Sequence, residues 1–581
     1  MEHLKYTEIL QLNKAMAGTL KGKPYKVGVL SNVTISSFKD ILEYCCRLHK
    51  IEPEVEIGNY DNVVQDTMTM QDKDMVIILY EMLNIVDGVG TYFEDMDDSL
   101  FASLQQKMTA ELDMIFENLR TVPSVVFNTF SSAFLVPDFQ CNSKADALVQ
   151  ALNRYVEEKK PKNVTLIALD KIIMHTGLKE AFDQRFYLSS KAPYSINFFK
   201  QYCNALLPVL LRNTGRLKKA IIFDCDNTLW KGILGEDGAE GIDMSEQSKA
   251  GRDFNMVQQM ARFLSRKGVI VGLCSKNNAK DVDDVLSTHP DIVLKDEFIV
   301  IKKVNWEDKA SNLRAIANDL NIGLDSIVFI DDSSFEVNLI REQVSEILTL
   351  QVPAKNYANW LQALIFTYFN LNVTSEDAKK TAMYKEQFQR EQAKTSASSM
   401  EDYLASLEME IELSQDSPAH IARIAQLTQK TNQFNLTTQR YTENQIEAFM
   451  QSPATQVTTL SVKDKFGDNG LTGICIMDRS GNPSVAVIDS LLMSCRVIGR
   501  NIELVFMNYL LLQLLSAGVQ QVEALYIPTA KNAQVEVFYE KLGFAVTEQD
   551  GGTKKYSLNL DEYKPLTINY IHIKTETPQG A

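Results

Sequence analysis

The stretch that decides the fold of the middle of the chain is Phe223-Asp224-Cys225-Asp226-Asn227-Thr228-Leu229-Trp230. It continues an apolar run, Ala220–Phe223, of the kind that forms buried strands in parallel sheets. Two carboxylates, Asp224 and Asp226, therefore come where a strand ends, which is the edge at which open α/β sheets bind their ligands. One carboxylate can attack phosphorus while the other moves a proton, so this stretch indicates phosphoryl chemistry.

Two more apolar runs in the same region carry polar residues at their ends. Residues 269–274 predict a strand that ends at Ser275, whose hydroxyl suits a phosphoryl oxygen. Residues 326–330 predict a strand that delivers Asp331-Asp332, a pair of hard oxygen ligands of the kind Mg²⁺ prefers beside a phosphate. Between them, Lys309 can neutralise the negative charge of an attacked phosphoryl group.

The order Asp-x-Asp-x-Thr, Ser, Lys and Asp-Asp over roughly 216–345 resembles the haloacid dehalogenase superfamily. The resemblance implies that Asp224 is a nucleophile forming an aspartyl-phosphate and that Asp226 is the general acid/base. It also implies that Ser275 and Lys309 hold the phosphoryl group. The short segments between these motifs leave no room for a large cap domain. The implied Mg²⁺ ligands are Asp224, Asp226, Asp331 and Asp332.

A narrower resemblance rests on Trp230-Lys231-Gly232-Ile233-Leu234-Gly235-Glu236-Asp237-Gly238, together with Ser275-Lys276-Asn277-Asn278 and Val352-Pro353. These segments resemble the FkbH-like family of dehalogenase-type proteins. The resemblance implies that the protein takes an acyl phosphate such as 1,3-bisphosphoglycerate and removes its phosphate. The glyceryl group would then pass through an enzyme cysteine to the phosphopantetheine thiol of an acyl carrier protein.

The last third of the chain contains two more segments that resemble those of known protein families. Residues 426–438 resemble a long FkbH-like signature, and residues 538–544 resemble the final segment of N-acetyltransferase-type (GNAT) folds. Arg496, Gly499 and Arg500 lie where such folds hold the pyrophosphate of coenzyme A at a helix start. Because Asn501 replaces the last small residue of that pattern, the expected ligand is the singly phosphorylated phosphopantetheine arm.

Two of the eight cysteines are candidates for carrying the acyl group. Cys225 lies between Asp224 and Asp226, whose charges disfavour a thiolate. Cys495 precedes Arg496 at a predicted helix start, where positive charge and the helix dipole lower a thiol pKa, so it is the stronger candidate. The other six cysteines are expected to be buried and inert.

The first part of the chain alternates helical patterns with predicted strands at 25–30, 75–79, 124–127 and 164–169. Its first strand ends at Ser31, which weakly resembles the nucleophile position of SGNH hydrolases. The Gly-x-Asn-Asp and Asp-x-x-His segments of that fold are absent from the sequence here. A serine without a general base is a poor nucleophile, so we expect a degenerate domain in which Ser31 serves as a turn or cap residue.

Length and composition set the overall organisation. A chain of 581 residues exceeds the roughly 250–300 residues at which single cores stop growing, so several domains are expected. The predicted fold class is α/β, with three domains and a linker. These are a degenerate SGNH-like α/β domain (1–215), a capless Rossmann-like haloacid dehalogenase domain (216–369), a linker (370–399) and a GNAT-like α+β domain (400–581).

The net charge, the cysteine pattern and the length of the apolar runs limit the expected binding partners and cellular location of the protein. The net charge of −16 disfavours a general nucleic-acid binder. The cysteines form no CxxC pair, and no apolar run approaches the roughly 18 residues of a membrane span, so a cytoplasmic protein without membrane attachment is expected.

The sequence thus predicts a Mg²⁺-dependent acyl-phosphate phosphatase with a coupled acyltransferase activity, acting with an acyl carrier protein. One alternative is a plain small-molecule phosphatase in sugar or surface-polysaccharide metabolism. The other is a non-catalytic scaffold that binds a carrier protein. The complete phosphoryl set argues against a scaffold, because binding alone does not require all of those groups.

Overall fold

The structure of the protein is a computed structural model. The residues it describes are 1, 3–20, 23–85, 96–135, 143–369, 371, 386, 390, 398–529 and 531–575. The chain divides into two compact units, Met1–Thr214 with Tyr441–Ala448, and Gly215–Arg440 with Phe449–Ala581. Most of the predicted linker at 370–399 lies outside the described residues, and the predicted domain boundaries stay a prediction.

The first unit contains a parallel sheet of five strands in the order β2-β1-β3-β4-β5. Its strands are β1 (Tyr25–Ser31), β2 (Pro53–Ile57), β3 (Met75–Leu79), β4 (Val125–Asn128) and β5 (Val164–Ile167). All five residues of β3 are buried, as expected for a central strand covered on both faces. The four predicted strands are confirmed, and β2 is an additional edge strand.

Helices pack on both faces of this sheet. They are α1 (Tyr6–Met16), α2 (Phe38–Leu48), α3 (Val63–Asp66), α4 (Met82–Ile85), α5 (Asp98–Asn118), α6 (Lys144–Lys159), α7 (Leu169–Thr176), α8 (Leu178–Ala181), α9 (Gln184–Ser190) and α10 (Ile196–Asn213). At the end of β1, the buried Ser31 accepts a hydrogen bond at its Oγ from the Val33 N–H, 3.1 Å away. Ser31 therefore serves in a turn, as the sequence predicts.

The second unit begins with another five-stranded parallel sheet, in the order β10-β9-β6-β7-β8. Its strands are β6 (Ala220–Phe223), β7 (Ile270–Ser275), β8 (Ile301–Val304), β9 (Ile327–Asp331) and β10 (Leu348–Gln351). Its helices are α11 (Leu234–Gly241), α12 (Gly251–Arg266), α13 (Ala279–Thr288), α14 (Lys309–Asp319), α15 (Ser334–Gln343) and α16 (Tyr357–Tyr368).

The chain runs outward from β6 through β7 to β8 and then returns to the other side of β6 as β9. The point between β6 and β9 is therefore the topological switch point of this sheet, where ligands of open α/β sheets bind.

A third, mixed sheet completes the second unit. Its main path is β17-β18-β16-β15-β14-β13-β11-β19, and a short strand, β12, pairs with β15. The strands are β11 (Met409–Gln415), β12 (Phe434–Asn435), β13 (Thr455–Asp464), β14 (Gly467–Asp478), β15 (Val485–Met493), β16 (Gln521–Tyr526), β17 (Ala545–Asp550), β18 (Thr553–Asn559) and β19 (Ile571–Thr575). The helices of this part of the chain are α17 (Met400–Ser406), α18 (Ile421–Lys430), α19 (Glu443–Gln451) and α20 (Ile502–Ser516), and most of α19 belongs to the first unit.

The fold is thus multi-domain α/β with parallel sheets, as predicted. Among the residues the structure describes, no helix combines the length and the apolar character needed to cross a bilayer.

Gly272 in the central strand β7 provides a test of the packing that supports the site. A Cβ atom at this position would lie 2.7 Å from Ile222 Cδ1 and 3.0 Å from the Ile301 carbonyl oxygen. We expect Gly272→Ala to destabilise the protein by about 1–3 kcal/mol, as overpacked cores do. Urea unfolding followed by circular dichroism measures this loss.

The matched control is Gly481→Ala, because a Cβ atom there meets nothing within 4 Å. An unchanged unfolding midpoint in Gly272→Ala would contradict the close packing described for β7.

Candidate active site

The site forms where β6 and β9 end side by side. Phe223 pairs with Ile330, and the Asp224 N–H donates to the Ile330 carbonyl oxygen at 2.9 Å. This register places Asp224 beside Asp331, the last residue of β9. Both side chains are buried, with 6% of Asp224 and none of Asp331 exposed. Two carboxylates that lie 107 residues apart in the sequence, from 224 to 331, are therefore neighbours.

Lys309 supplies the positive charge between them. It is the first residue of α14, which Asp308 caps by accepting a hydrogen bond from the Ser311 N–H. The Lys309 Nζ lies 2.6 Å from Asp331 Oδ2 and 3.1 Å from Asp224 Oδ1, and the lysine is 4% exposed. Burial at this depth keeps the interaction strong, because little water screens it.

Three carboxylates at this edge form a candidate cation site. Among the described residues, one carboxylate oxygen from each of Asp224, Asp331 and Asp332 lies within 4.8 Å of the others. Oxygen ligands at this spacing fit Mg²⁺, which binds through one or two carboxylates and shares its remaining positions with water and phosphate. The donor set therefore fits the predicted metal.

The pKa values of these groups reflect their crowding. Burial raises the pKa of Asp224, and the Lys309 charge and a hydrogen bond from Ser275 oppose that rise. Burial and then the Asp224 charge raise the pKa of Asp331, against the pull of Lys309. Burial and the Asp331 charge likewise raise the pKa of Asp332. A divalent cation bound by these oxygens would relieve this repulsion.

Ser275 lies where the sequence predicts it, at the end of β7 next to β6. It is 2% exposed, and its hydroxyl hydrogen-bonds the Asp224 side chain. The structure therefore brings together Asp224, Ser275, Lys309, Asp331 and Asp332, while the role of each of these residues stays a prediction.

Asp226 occupies different surroundings and is not part of the carboxylate triad. Its Oδ1 accepts hydrogen bonds from Trp230 Nε1 at 2.9 Å and from the Leu234 N–H at 3.0 Å. Its Oδ2 accepts one from Asn277 Nδ2 at 2.9 Å. These contacts suit a carboxylate held in one orientation, and the predicted role of Asp226 as a metal ligand stays a prediction.

One residue near the triad was missed from the sequence. Tyr357, at the start of α16, is 3% exposed, and its hydroxyl has no hydrogen-bond partner among the described residues. Burial, followed by the charges of Asp224 and Asp332, raises the pKa of Tyr357, so the hydroxyl remains a protonated donor near the two carboxylates. The only signal in the sequence would have been the polar hydroxyl of a tyrosine at the start of a mostly apolar helix.

The two candidate acyl-carrying cysteines differ in exposure. Cys225 is fully buried, and burial and then the Asp224 charge raise the pKa of its thiol, which makes it a weak nucleophile as it stands. Of the seven cysteines described, Cys495 alone is not buried. The other five are Cys45, Cys46, Cys203, Cys274 and Cys475. They are buried as expected, and Cys141 lies outside the described residues.

The predicted helix start after Cys495 is wrong. Cys495–Val497 form a single 3₁₀ turn, and α20 begins only at Ile502. Gly499 and Asn501 both have positive φ angles, +81° and +63°, which interrupt helical geometry. The helix dipole invoked for Cys495 is therefore not beside its thiol.

Cys495 also lies at the opposite end of the β6–β10 sheet from the carboxylates. Its carbonyl oxygen accepts a hydrogen bond from Asn321 Nδ2 at 2.8 Å, and Lys531 pairs with Asp325 nearby. Asn321 and Asp325 precede β9, whereas Asp331 ends it. A strand of five residues separates these edges by on the order of 13 Å.

The predicted phosphate-binding residues of the third sheet are partly engaged with protein groups. Arg500 is 4% exposed, with Nη1 3.1 Å from Asp464 Oδ2 and Nη2 donating to the Arg496 carbonyl oxygen at 2.7 Å. The Arg496 Nε donates to Ser494 Oγ at 3.2 Å. A Cβ at Gly499 would meet nothing within 4 Å. The binding roles of Arg496, Gly499 and Arg500 stay predictions.

The chain itself fills a gap in the third sheet. Strands β15 and β16 pair only over Val485–Ile488 and Gln521–Ala524. Further along, β12 pairs with the end of β15, and the Leu436 carbonyl oxygen accepts a hydrogen bond from the Ile527 N–H at 2.8 Å. An extended ligand arm could add between β15 and β16 as a strand only if this segment moved away.

Comparison with known proteins gives an extensive similarity to part of a solved structure. The N-terminal part of a Bacteroides fragilis protein, which contains a phosphatase domain and was crystallised in complex with Mg, shares 24% sequence identity at a TM-score of 0.53, covering 63% of this chain and 99% of that chain. A shorter similarity is to the ribosomal-protein-S18-alanine N-acetyltransferase of Escherichia coli, with 13% identity and a TM-score of 0.21 over 26% of this chain and 94% of that chain. No family model and no curated protein matches.

The first of these similarities establishes a fold shared with a protein that contains a phosphatase domain. The FkbH-like and SGNH-like resemblances stay predictions.

Asp332→Asn tests the crowding of the carboxylates in the metal-free protein. The folded-state pKa of Asp332 is raised above its ordinary value of 3.8, so stability is lost as the pH rises through that folded pKa. Removing the charge at pH 7 is expected to raise the melting temperature by about 1–3 °C, and the gain should shrink as the pH falls towards 3.8. Differential scanning fluorimetry in EDTA measures it.

Glu342→Gln, which removes a carboxylate from an exposed position of α15, is the control and should shift the melting temperature little. A lower melting temperature for Asp332→Asn at pH 7 would show that the three carboxylates do not repel one another.

Proposed function

We propose that the protein is a Mg²⁺-dependent phosphatase and acyltransferase that acts on an acyl phosphate such as 1,3-bisphosphoglycerate and delivers the acyl group to the phosphopantetheine thiol of an acyl carrier protein. The observation that carries the phosphoryl part is the buried Lys309 Nζ between Asp224 and Asp331, with Asp332 beside them. A set of three carboxylates and one lysine at a switch point is suited to binding a phosphoryl group. The acyl-transfer part rests on the FkbH-like segments of the sequence.

Asp224, Asp331 and Asp332 would hold Mg²⁺, whose charge would stabilise the negative charge on the phosphoryl group. That a Bacteroides fragilis protein of similar fold was crystallised with Mg supports this assignment. The Lys309 ammonium would neutralise a phosphoryl oxygen, and the Ser275 hydroxyl would donate to another.

Phosphate removal follows from the two aspartates. A carboxylate oxygen of Asp224 attacks phosphorus, the bond between phosphorus and the bridging oxygen breaks, and the acid leaves as a carboxylate. Asp226 then takes a proton from water, and the resulting hydroxide releases phosphate from Asp224. The products are the free acid and inorganic phosphate, and Asp226 returns its proton to solvent.

Acyl transfer requires a different bond to break. A free carboxylate is no longer activated, so a thiol can capture the acyl group only by attacking the carbonyl carbon while phosphate is the leaving group. The thiol loses its proton, a thioester forms, and phosphate departs with the bridging oxygen. From 1,3-bisphosphoglycerate this thioester is 3-phosphoglyceryl, and it becomes glyceryl only when water hydrolyses the remaining phosphomonoester to the alcohol and a second phosphate. In this reaction the Asp224 cluster would bind the phosphate group without attacking it.

Isotope labelling separates the two reactions. In H₂¹⁸O, attack by Asp224 on phosphorus places one solvent oxygen in each phosphate released, whereas attack by a thiol on carbon places none. We expect label in phosphate when the carrier is omitted and a falling labelled fraction as carrier is added. Mass spectrometry of the phosphate measures it. A labelled fraction that does not fall as carrier is added would contradict the transfer reaction.

Asp224→Asn tests the phosphatase assignment. Loss of the nucleophile is expected to lower phosphate release in Mg²⁺ by at least about 10³-fold, as the loss of other enzyme nucleophiles does. Asp281→Asn, at an exposed position of α13, is the matched control and should retain activity. Wild-type rates in Asp224→Asn would rule out Asp224 as the nucleophile.

The passage of the acyl group through an enzyme cysteine is tested by intact mass. After incubation with 1,3-bisphosphoglycerate and Mg²⁺, a 3-phosphoglyceryl or glyceryl adduct present in the wild type and absent from Cys495→Ala would show that Cys495 carries the acyl group. Loss of the adduct in Cys225→Ala would instead show that Cys225, whose thiol is buried, carries the acyl group. An adduct on neither cysteine would rule out passage of the acyl group through an enzyme cysteine.

The alternative of a plain small-molecule phosphatase is favoured by two features of the second unit. Cys495 lies at the far end of the sheet from Asp224, and the chain's own segment at 434–436 fills the gap between β15 and β16. Turnover that does not respond to carrier proteins would support this alternative. We place either activity in the cytoplasm, where the buried cysteines stay reduced.

A further inference from the structure

The carboxylate of Asp226 is held by donors from three separate segments. Trp230 follows it in the loop after β6, Leu234 begins α11, and Asn277 lies in the loop after β7. The three distances, 2.9 Å, 3.0 Å and 2.9 Å, are ordinary lengths for hydrogen bonds from nitrogen. A side chain fixed from three directions has little freedom to rotate.

The donors divide unequally between the two oxygens. Oδ1 accepts from both Trp230 and Leu234, so its two lone pairs are used. Among the residues that the structure describes, Oδ2 accepts only from Asn277, so one lone pair remains for exchanging a proton with a substrate or a water molecule. The hydrogen bonds to Oδ1 therefore fix the orientation of the carboxylate, and Oδ2 is the oxygen that can exchange a proton.

The donors are themselves fixed. Trp230 is fully buried and Asn277 is 4% exposed. The loop that carries Trp230 is closed by the Gly232 N–H, which donates to Asn227 Oδ1 at 3.1 Å, and Gln258 Nε2 donates to the Leu229 carbonyl oxygen at 2.8 Å. Each donor is thus in place before any substrate binds.

Asn277 also connects Asp226 to the segment expected to hold phosphate. It lies two residues after Ser275, whose hydroxyl reaches Asp224. A rigid link of this kind sets the direction of Oδ2 relative to the phosphoryl group, and misplacement by about 1 Å can cost a rate factor of about 10².

We propose that Trp230 and Asn277 are positioning residues that hold Asp226 with Oδ2 as its proton-transferring atom. This inference rests on the proposed phosphatase function, and it adds which groups orient the general acid/base and which of its oxygens reacts. The indole and the amide donate to the Asp226 carboxylate and would act through it.

The test compares two aryl phosphates that differ in their need for a proton on the leaving group. In Asn277→Leu and Trp230→Phe, kcat/KM for phenyl phosphate is expected to fall about 100-fold, the scale of general acid catalysis. The fall for 4-nitrophenyl phosphate should be at least about tenfold smaller, because nitrophenolate leaves with little help from an acid. The ratio of the two kcat/KM values is the readout, since a general structural defect lowers both equally.

The matched control is Asn278→Ala. Asn278 adjoins Asn277 in the same loop, but its side chain caps α13 by accepting from the Lys280 N–H and does not contact Asp226. We expect it to leave the ratio unchanged. An equal loss on both substrates in Asn277→Leu and Trp230→Phe would overturn the proposal. Activity surviving Asp224→Asn would overturn the phosphatase assignment instead.

A second readout does not depend on turnover. The protein has three tryptophans, and the indole N–H resonance that disappears in Trp230→Phe is that of Trp230. In Asp226→Leu this resonance is expected to move upfield as the bond to the carboxylate is lost, whereas Asn278→Ala should leave it in place. An unchanged resonance in Asp226→Leu would overturn the proposal even if neither aryl phosphate is a substrate.

Discussion

The site depends on one buried cation. Without the Lys309 ammonium, Asp224 and Asp331 would be two buried carboxylates side by side, an arrangement that favours protonation of one of them. A buried ion pair contributes little net stability, because desolvation offsets the attraction, but it specifies which groups lie together. The parallel register of β6 with β9 and the start of α14 at Lys309 both serve to bring these three charges to one point.

Environment separates the two aspartates of the opening motif. Asp224 lies among charges, close to a lysine and two acidic neighbours, whereas Asp226 two residues later contacts only neutral donors. Two carboxylates of the same chemistry can take different parts in a reaction when their surroundings differ in this way. Because β6 ends at Phe223, the two aspartates are not held to the shared face that residues i and i+2 of a strand would occupy, which makes the division possible.

Much of the fold and of the site followed from the sequence because buried parallel strands leave a plain signal. The runs at 220–223, 269–274 and 327–330 are continuous and apolar, and the polar residues after them converge because parallel strands of one sheet share a carboxyl edge. Strand β8 was missed because Lys302 and Lys303 occupy its middle, on a sheet edge where lysine side chains reach solvent.

Other features depend on contacts that no local pattern reports. The helix predicted after Cys495 fails because Asn501 adopts a left-handed conformation, which asparagine permits but does not require. The charges of Asp224 and Asp332 raise the pKa of Tyr357, after burial, because α16 packs near them. Trp230 and Asn277 meet at Asp226 because the loops after β6 and β7 lie beside each other. Their residue types are visible in the sequence, but their shared target, Asp226, is a product of the fold.

The geometry also constrains how phosphate removal and acyl transfer can be coupled. A nucleophile at Asp224 cleaves the bond that activates the acyl group, so a chain that only hydrolyses acyl phosphates has no use for a downstream thiol. A chain that transfers the acyl group needs that thiol at the carbonyl carbon, within reach of the phosphate held by Lys309. Cys225 is close in sequence but buried, and Cys495 lies beyond the amino end of β9. Under the proposed function, a thiol carried on a long flexible arm would satisfy both requirements, because it could be brought to the carbonyl carbon and then leave with the acyl group attached.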